Sequence, residues 1–396
     1  RPKSEGHGAI YRQELLINYL IKKKEIVNIF TLEKEKFPFN LNARIINISL
    51  SNFARRYAYL KWIFLLISSI LLIEKSKSSS YKMIAFSDYE SIIFKLASII
   101  IKLKKINLRL LSQKTIFDKV PNLEIIFFSR GDFIEIFKTI NPKTNIFQAL
   151  LMDICLVYYK KIQFLAIISS SKYVVQMNFL KDLIIKRYNI SKNINVISNN
   201  IPPPIVNYKS NIKAKEFADQ NFNSKTPITI GFAAPLYLRA KSLDIFIKII
   251  YELKKNFSIK VVTAGSGPDE SYFTENLKNI MGYKSYKHLG WVKNIDNFFS
   301  KVDILIIPSR YDSCPNFVLE AINIPNIRII ASDIPAHKEL LMKKDFLFPI
   351  NDIKKIKNKF KKIISLDNQK YESYINEIKS KYTFEWEEKV FKLINN

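Results

Sequence analysis

Glycine is scarce in this sequence, 8 residues of 396, while Lys, Ile, Asn, Phe and Tyr are abundant, the balance an AT-rich coding sequence produces. Acidic residues are few as well: 35 Asp and Glu face 63 Lys and Arg, for a formal net charge of +28. Such an excess suits nucleic acid, an anionic membrane surface or acidic small ligands. Part of it is compositional bias, and no Arg-Gly repeat, zinc-finger spacing or RNP-type aromatic motif accompanies it, so nucleic acid is not the expected partner. The two cysteines, Cys155 and Cys314, are too isolated for a disulfide framework or a metal site, which fits a reducing cytoplasm. Long apolar runs are missing too. The most apolar segment, Trp62 to Ile73, spans 12 residues with two serines, short of the roughly 20 that cross a bilayer. It reads first as a core helix. Arg55, Arg56 and Lys61 before it and Lys75 and Lys77 after it leave peripheral contact with an anionic membrane as the second reading. No signal peptide opens the sequence, which starts at Arg1, and N-terminal residues are expected to be missing.

What is present is alternation. With 48% hydrophobic residues the chain can bury two cores, and two domains are expected. Glu5-Gly-His-Gly8 precedes a helical pattern at Ile10, Leu15, Leu16, Tyr19 and Leu20, then strand-like Ile26 to Phe30, which resembles a Rossmann-type half lacking its first strand. A helix at about 53–75, a strand at Met83 to Phe86, a helix at about 90–104 and a strand at Leu108 to Leu111 follow. Beyond a turn at Gly131-Asp132, a helix is expected from Asn145 to about Lys161. Leu165 to Ser169 and Val174-Val175 flank a serine cluster, and Ile194 to Ile197 reads as a short strand. Pro202-Pro-Pro204 fits neither a helix interior nor a sheet centre, so the boundary is placed near 202–226. Strands then recur at Ile228 to Phe232, Lys260 to Ala264, Tyr286 to Val292, Asp303 to Ile307 and Ile327 to Ala331, separated by helical patterns, before a basic helical tail. This is the signature of parallel sheets covered by helices.

One stretch draws the rest together. The buried-strand run Asp303 to Ile307 stops at Pro308-Ser309, and Pro315-Asn316 suits a helix start whose inner side is Phe317, Val318, Leu319 and Ala321. Two carboxylates, Asp312 and Glu320, then stand eight residues apart at the carboxyl end of a strand, where ligands bind in open α/β sheets. Helix N–H groups there attract phosphate and a carboxylate one turn in accepts from ribose hydroxyls. A plain strand-loop-helix unit whose Glu faces solvent explains the same residues. Three more features precede it in fixed order: a loop with Arg239 and Lys241, the Gly265-Ser-Gly267-Pro268 turn, and His288-Leu-Gly-Trp291-Val292. Two cations at a helix start oppose the macrodipole unless an anion is bound. His288 reads as structural, and Glu339 as a helix cap.

In this order and spacing the four features resemble the donor domain of glycosyltransferase family 4, the group 1 glycosyl transferases, over most of 228–342. The likeness extends more loosely to 5–30 and 165–201. The resemblance implies an α/β GT-B fold, two Rossmann-like domains with parallel sheets facing across a cleft. Their bounds are 1–201 for an acceptor domain, 202–226 for a linker, 227–376 for a donor domain and 377–396 for a C-terminal helix packing back on the first domain. It implies a retaining glycosyltransferase that moves a sugar from a nucleotide diphosphate donor to a polysaccharide or lipid-linked acceptor in cell-envelope glycan synthesis, such as lipopolysaccharide. No metal or other cofactor is expected. The protein is expected to be cytoplasmic, at the inner face of the plasma membrane. Arg239 and Lys241 would stabilise the diphosphate, Glu320 the ribose and Asp312 a sugar hydroxyl. Gly265, Gly267, Ser309, the N–H groups of Asn316, Phe317 and Val318, and the main chain at Trp291 and Val292 would line the donor, with Gly8 on the acceptor side. The chain departs from the family at Ser242 for Gly, at Phe232 for Arg and at Phe86-Ser-Asp88 where many members have His. A non-catalytic relative that keeps the nucleotide pocket is the rival reading, with a sugar-nucleotide epimerase or phosphorylase behind it.

Overall fold

The computed structural model describes residues 8–31, 44–47, 63, 65–71, 80–111, 122–129, 131–141, 145–190, 194–202, 227–239, 241–292, 295–325 and 327–396. Glu5, Gly6 and His7 of the glycine loop, the lysines and arginines flanking 62–73, and the linker after Pro202 lie outside them. The chain forms two compact units. One comprises Arg1–Asp132, Thr144–Ile197 and Glu385–Asn396, the other Phe133–Lys143 and Ser198–Phe384.

In the first unit α1 (Gly8–Lys22) leads to β1 (Asn28–Thr31), paired in parallel with β2 (Arg44–Asn47). The chain continues through β3 (Ser80–Ala85), α2 (Asp88–Leu111) and β4 (Asn122–Phe128). After α3 (Phe133–Ile140), which belongs to the second unit, come α4 (Ile146–Ser169), β5 (Lys172–Val175), α5 (Asn178–Tyr188) and β6 (Ile194–Val196). The sheet runs β3-β4-β5-β6, every pair parallel. Parallel strands buried on both faces read as continuous apolar runs, as Ile125 to Phe128 and Tyr173 to Val175 do. At the end of β3 the Glu90 carboxylate accepts from the N–H groups of Phe86 (2.7 Å) and Ser87 (3.2 Å), and the Ser87 hydroxyl accepts from Glu90 N–H (3.3 Å). This capping box explains the Phe86-Ser87-Asp88 departure: those residues start α2. Burial pushes the Asp88 carboxyl up to about 6.

The second unit contains β7 (Ile228–Ala233), α6 (Leu243–Lys254), β8 (Ile259–Ala264), α7 (Glu270–Met281), β9 (Tyr286–His288) and α8 (Asp296–Phe299). It continues with β10 (Ile304–Ile307), α9 (Asn316–Ile322), β11 (Arg328–Ser332), α10 (Pro335–Leu341) and β12 (Leu347–Phe348). The tail helices α11 (Ile356–Ile364) and α12 (Asn368–Tyr382) close this unit. The last helix, α13 (Trp386–Asn395), lies in the first unit, where Phe391 meets Tyr19 edge-on at 5.8 Å and Lys172 donates to the Leu393 carbonyl at 2.8 Å. All strands of the second sheet are parallel, in the order β9-β8-β7-β10-β11-β12. Counted from β7 this is 3-2-1-4-5-6, the doubly wound order, in which the order of strand addition reverses between β7 and β10 while every strand stays parallel.

Two local expectations need correcting. Leu108 to Leu111 is not a strand but the end of α2; Leu and Arg are strong helix formers, so the helix runs on. Leu165 to Ser169 likewise belongs to α4, which starts at the expected Asn145, whose side chain accepts from Gln148 N–H at 2.8 Å, but continues past Lys161 to Ser169.

Candidate active site

β7 and β10 are neighbours, but the chain leaves them in opposite directions, β7 toward β8 and β10 toward β11. Their following loops therefore part at the carboxyl edge. The loop after β7 carries Arg239 and Lys241, and the loop after β10 carries Ser309 and Asp312. Across this gap the Lys241 ammonium donates to Asp312 Oδ1 at 3.2 Å. Both side chains keep some solvent access, 31% for Lys241 and 18% for Asp312, so a solute can reach the pair.

A buried histidine stands behind Asp312. His337 in α10 is fully buried, and its Nε2 stands 3.8 Å from Asp312 Oδ2. The other ring nitrogen, Nδ1, lies 2.9 Å from the Ser332 carbonyl, which only an N–H on Nδ1 can satisfy. That tautomer turns the Nε2 lone pair toward the carboxylate, and Nε2 has no hydrogen-bond partner. Ser332 Oγ donates to the Ser309 carbonyl at 2.6 Å, tying α10 to the β10 loop. Burial alone would raise the Asp312 carboxyl, but Lys241 and a hydrogen bond from Ser309 hold it below its ordinary value. Asp312 is therefore an acceptor at neutral pH. The same loop is clamped onto the first turn of α6, where Arg310 donates to both oxygens of Asp244 at 2.8 and 2.6 Å.

The glycines of the β8 loop serve main-chain packing. A Cβ on Gly265 would lie 1.9 Å from the Ala234 carbonyl oxygen, and one on Gly267 would lie 2.4 Å from that of Leu236. Gly265 also has φ +123°, and its N–H donates to the Gly290 carbonyl at 2.7 Å. The loops after β7, β8 and β9 are thus knitted together. Leu236 N–H donates to Ser266 O at 2.9 Å, and Leu238 N–H to the Asp269 carboxylate at 2.7 Å.

The expected residues are distributed as follows. Lys241, Asp312 and Ser309 meet directly, and Glu320 stands half-buried in α9. Arg239 is exposed in the β7 loop and makes no ion pair among the described residues. The Val318 N–H already donates to Pro315 O at 3.0 Å, whereas the Asn316 side chain accepts from the buried Asn199 at 2.6 Å. Phe317 stacks on Phe299 at 5.4 Å. Trp291 is exposed and Val292 half-buried just past β9. Gly8 opens α1 in the first unit. His288 bonds Thr263 (2.9 Å) and Glu270 (3.3 Å), a structural network. Glu339 falls late in α10, which starts at Pro335, so it does not cap that helix. Phe232 is buried against Phe246 and Phe273, leaving no room for an unpaired cation there. His337 is the participant that sequence reasoning missed; Ser332 and His337, five residues apart around Pro335, are its only trace.

Residues 227–365 match the family model of the group 1 glycosyl transferases. No curated protein matches the sequence. Several solved structures share the fold. The lipopolysaccharide outer core galactosyltransferase WaaB in its apo form superposes with a TM-score of 0.66 at 13% identity, over 99% of this chain and 96% of that one. A glycosyltransferase from Rickettsia africae ESF-5 gives 0.62 at 13% identity, over 98% and 94%. WaaG, a glycosyltransferase involved in lipopolysaccharide biosynthesis, gives 0.60 at 10% identity, over 98% and 96%. The chain has the GT-B fold, and its residues 227–365 are similar to the group 1 glycosyl transferases.

Proposed function

We propose that the protein is a retaining glycosyltransferase that moves a hexosyl or related sugar from a nucleotide diphosphate sugar to a polysaccharide or lipid-linked acceptor. The observation that carries this reading is the Lys241–Asp312 pair spanning the switch point of the second sheet, half-open to solvent. A cation at the carboxyl edge, where a doubly wound sheet takes its ligand, suits a diphosphate. As the glycosidic bond breaks, negative charge builds on the leaving phosphate, and Lys241 with Arg239 stabilises it without a metal. The Asn316 and Phe317 N–H groups add to this. Asp312, held ionised, accepts from a hydroxyl of the donor sugar, and Glu320 accepts from the ribose. Gly265, Gly267 and Ser309 shape the floor, and the main chain at Trp291 and Val292 meets the base.

Retention follows if the acceptor oxygen attacks from the face the leaving group departs. The new C–O bond forms as the bond to phosphate breaks, and the leaving phosphate oxygen takes the acceptor proton, so no side-chain base is required. Acceptor contacts fall to the first unit, with Gly8 at the start of α1. Names of structural neighbours that act in lipopolysaccharide synthesis favour a cell-envelope glycan as product. The two isolated cysteines and a nucleotide sugar donor favour the cytoplasm.

Turnover decides between this reading and a non-catalytic relative. The protein is incubated with UDP, GDP, ADP and CMP sugars, with and without an extract containing cell-envelope acceptors, and release of nucleotide is followed. One donor is expected to be consumed, with the sugar appearing on an acceptor. Binding of a donor without consumption in either condition leaves the scaffold reading standing in its place.

A further inference from the structure

Helix α4 is apolar on the side it shows to solvent. Ile146 is 90% exposed, Phe147 75%, Leu150 60% and Ile154 59%, and Val157 and Ile168 are about half exposed. At 100° per residue these fall within one arc of about 100° that runs the length of the helix. Its 24 residues make it about 36 Å long. The helix cannot roll to hide that arc. Its opposite side is locked in the first unit, with Met152, Gln163, Ala166 and Ile167 buried. Gln163 Oε1 accepts from Arg187 at 2.8 Å and from the Tyr188 hydroxyl at 2.7 Å. Ser91 of the adjacent α2 donates to the Ala166 carbonyl at 3.1 Å. α2 adds exposed Leu96 and Leu103 of its own. Apolar surface of this extent is unusual on a monomer that meets only water.

Charge identifies the occupant. Lys161 falls inside the arc and Lys160 about 40° beyond its edge, and both are exposed, as are Lys95 and Lys102 of α2. Lysines among exposed aliphatic and aromatic side chains can extend to headgroups while their stems stay with the apolar surface. A second copy of this chain presenting the same helix would bring these lysines, and a net charge of +28 on each molecule, against themselves. An anionic surface meets no such repulsion. The helix also carries Asp153, Lys160 and Lys161, and no helix among the described residues is long and apolar enough to cross a membrane. We infer that α4 lies flat on a phospholipid bilayer containing anionic lipid, apolar arc down, and holds the first unit at that surface.

The inference stands apart from the donor site, because its test contains no nucleotide sugar. The whole protein is sedimented with vesicles of phosphatidylcholine alone and with vesicles that also contain phosphatidylglycerol. It is expected in the pellet only with the second. The double variant Phe147→Asp with Ile154→Asp is expected to lower that partition about tenfold or more, with thermal unfolding unchanged because both side chains are exposed. As a second readout, tryptophan introduced by Leu150→Trp should shift its emission to the blue with anionic vesicles and not with zwitterionic ones. Equal partition of the double variant, an unshifted tryptophan, or a wild-type dimer in sedimentation velocity that the double variant dissociates would each overturn the membrane assignment.

Discussion

Ser242 has φ 58°, in the left-handed region, and its hydroxyl is buried with no hydrogen-bond partner. Glycine relieves both penalties, so Ser242→Gly should raise unfolding free energy by about 1–2 kcal/mol, read from denaturant midpoints. His337 gives a pH dependence whose sign follows from its surroundings. Burial lowers its pKa, Asp312 only partly restores it and Lys241 lowers it further. The unfolded chain therefore takes up this proton first, near the ordinary 6.5. Stability from the neutral buried imidazole is complete above that pH and is lost as pH falls through it toward the depressed folded value. His337→Asn keeps an N–H for the Ser332 carbonyl but does not titrate. Comparing unfolding curves at pH 7.5 and 5.5 should show a smaller acid loss in the variant than in the wild type, and equal losses would remove His337 as the cause.

Among the elements, those with a strong period and clear punctuation were legible from residue order. The β10–α9 unit is one: the run Ile304 to Ile307, the stop at Pro308 and the helix beginning at Asn316 all appear where the apolar pattern puts them. α2 and α4 were cut short because apolar runs near their ends look the same in a strand and in a helix packed on several sides. The Gly265 turn was legible as a turn, but its physical cause was not, since the Ala234 carbonyl that forbids a Cβ comes from a separate loop. Gly265→Ala forces that carbonyl away and places alanine at φ +123°, so it should lose about 3–5 kcal/mol of stability. A denaturation midpoint within error of wild type would mean that the loops are not packed this way.

At the scale of the molecule, the pairing of loops across the sheet is what residue order could not supply. Lys241 and Asp312 are 71 residues apart, and only the 3-2-1-4-5-6 strand order makes them neighbours. The motifs that led to the proposed donor site were readable one by one. His337 behind Asp312 and the Arg310–Asp244 clamp were not, because buried polar partners follow no period in the chain. The interleaving of the units, with α13 returning to Tyr19 and Lys172, likewise depends on contacts far apart in the chain.

The central claim is that the crevice between β7 and β10 holds a nucleotide diphosphate through Lys241, with Glu320 on its ribose. Calorimetric titration of UDP, GDP, ADP and CMP sugars into the wild type, Lys241→Ala and Glu320→Ala tests it most directly. One donor class should bind the wild type, and each substitution should weaken it by roughly 10- to 100-fold, the loss of a charge-assisted contact worth about 1.5–3 kcal/mol. Unchanged affinity in both variants would contradict the account.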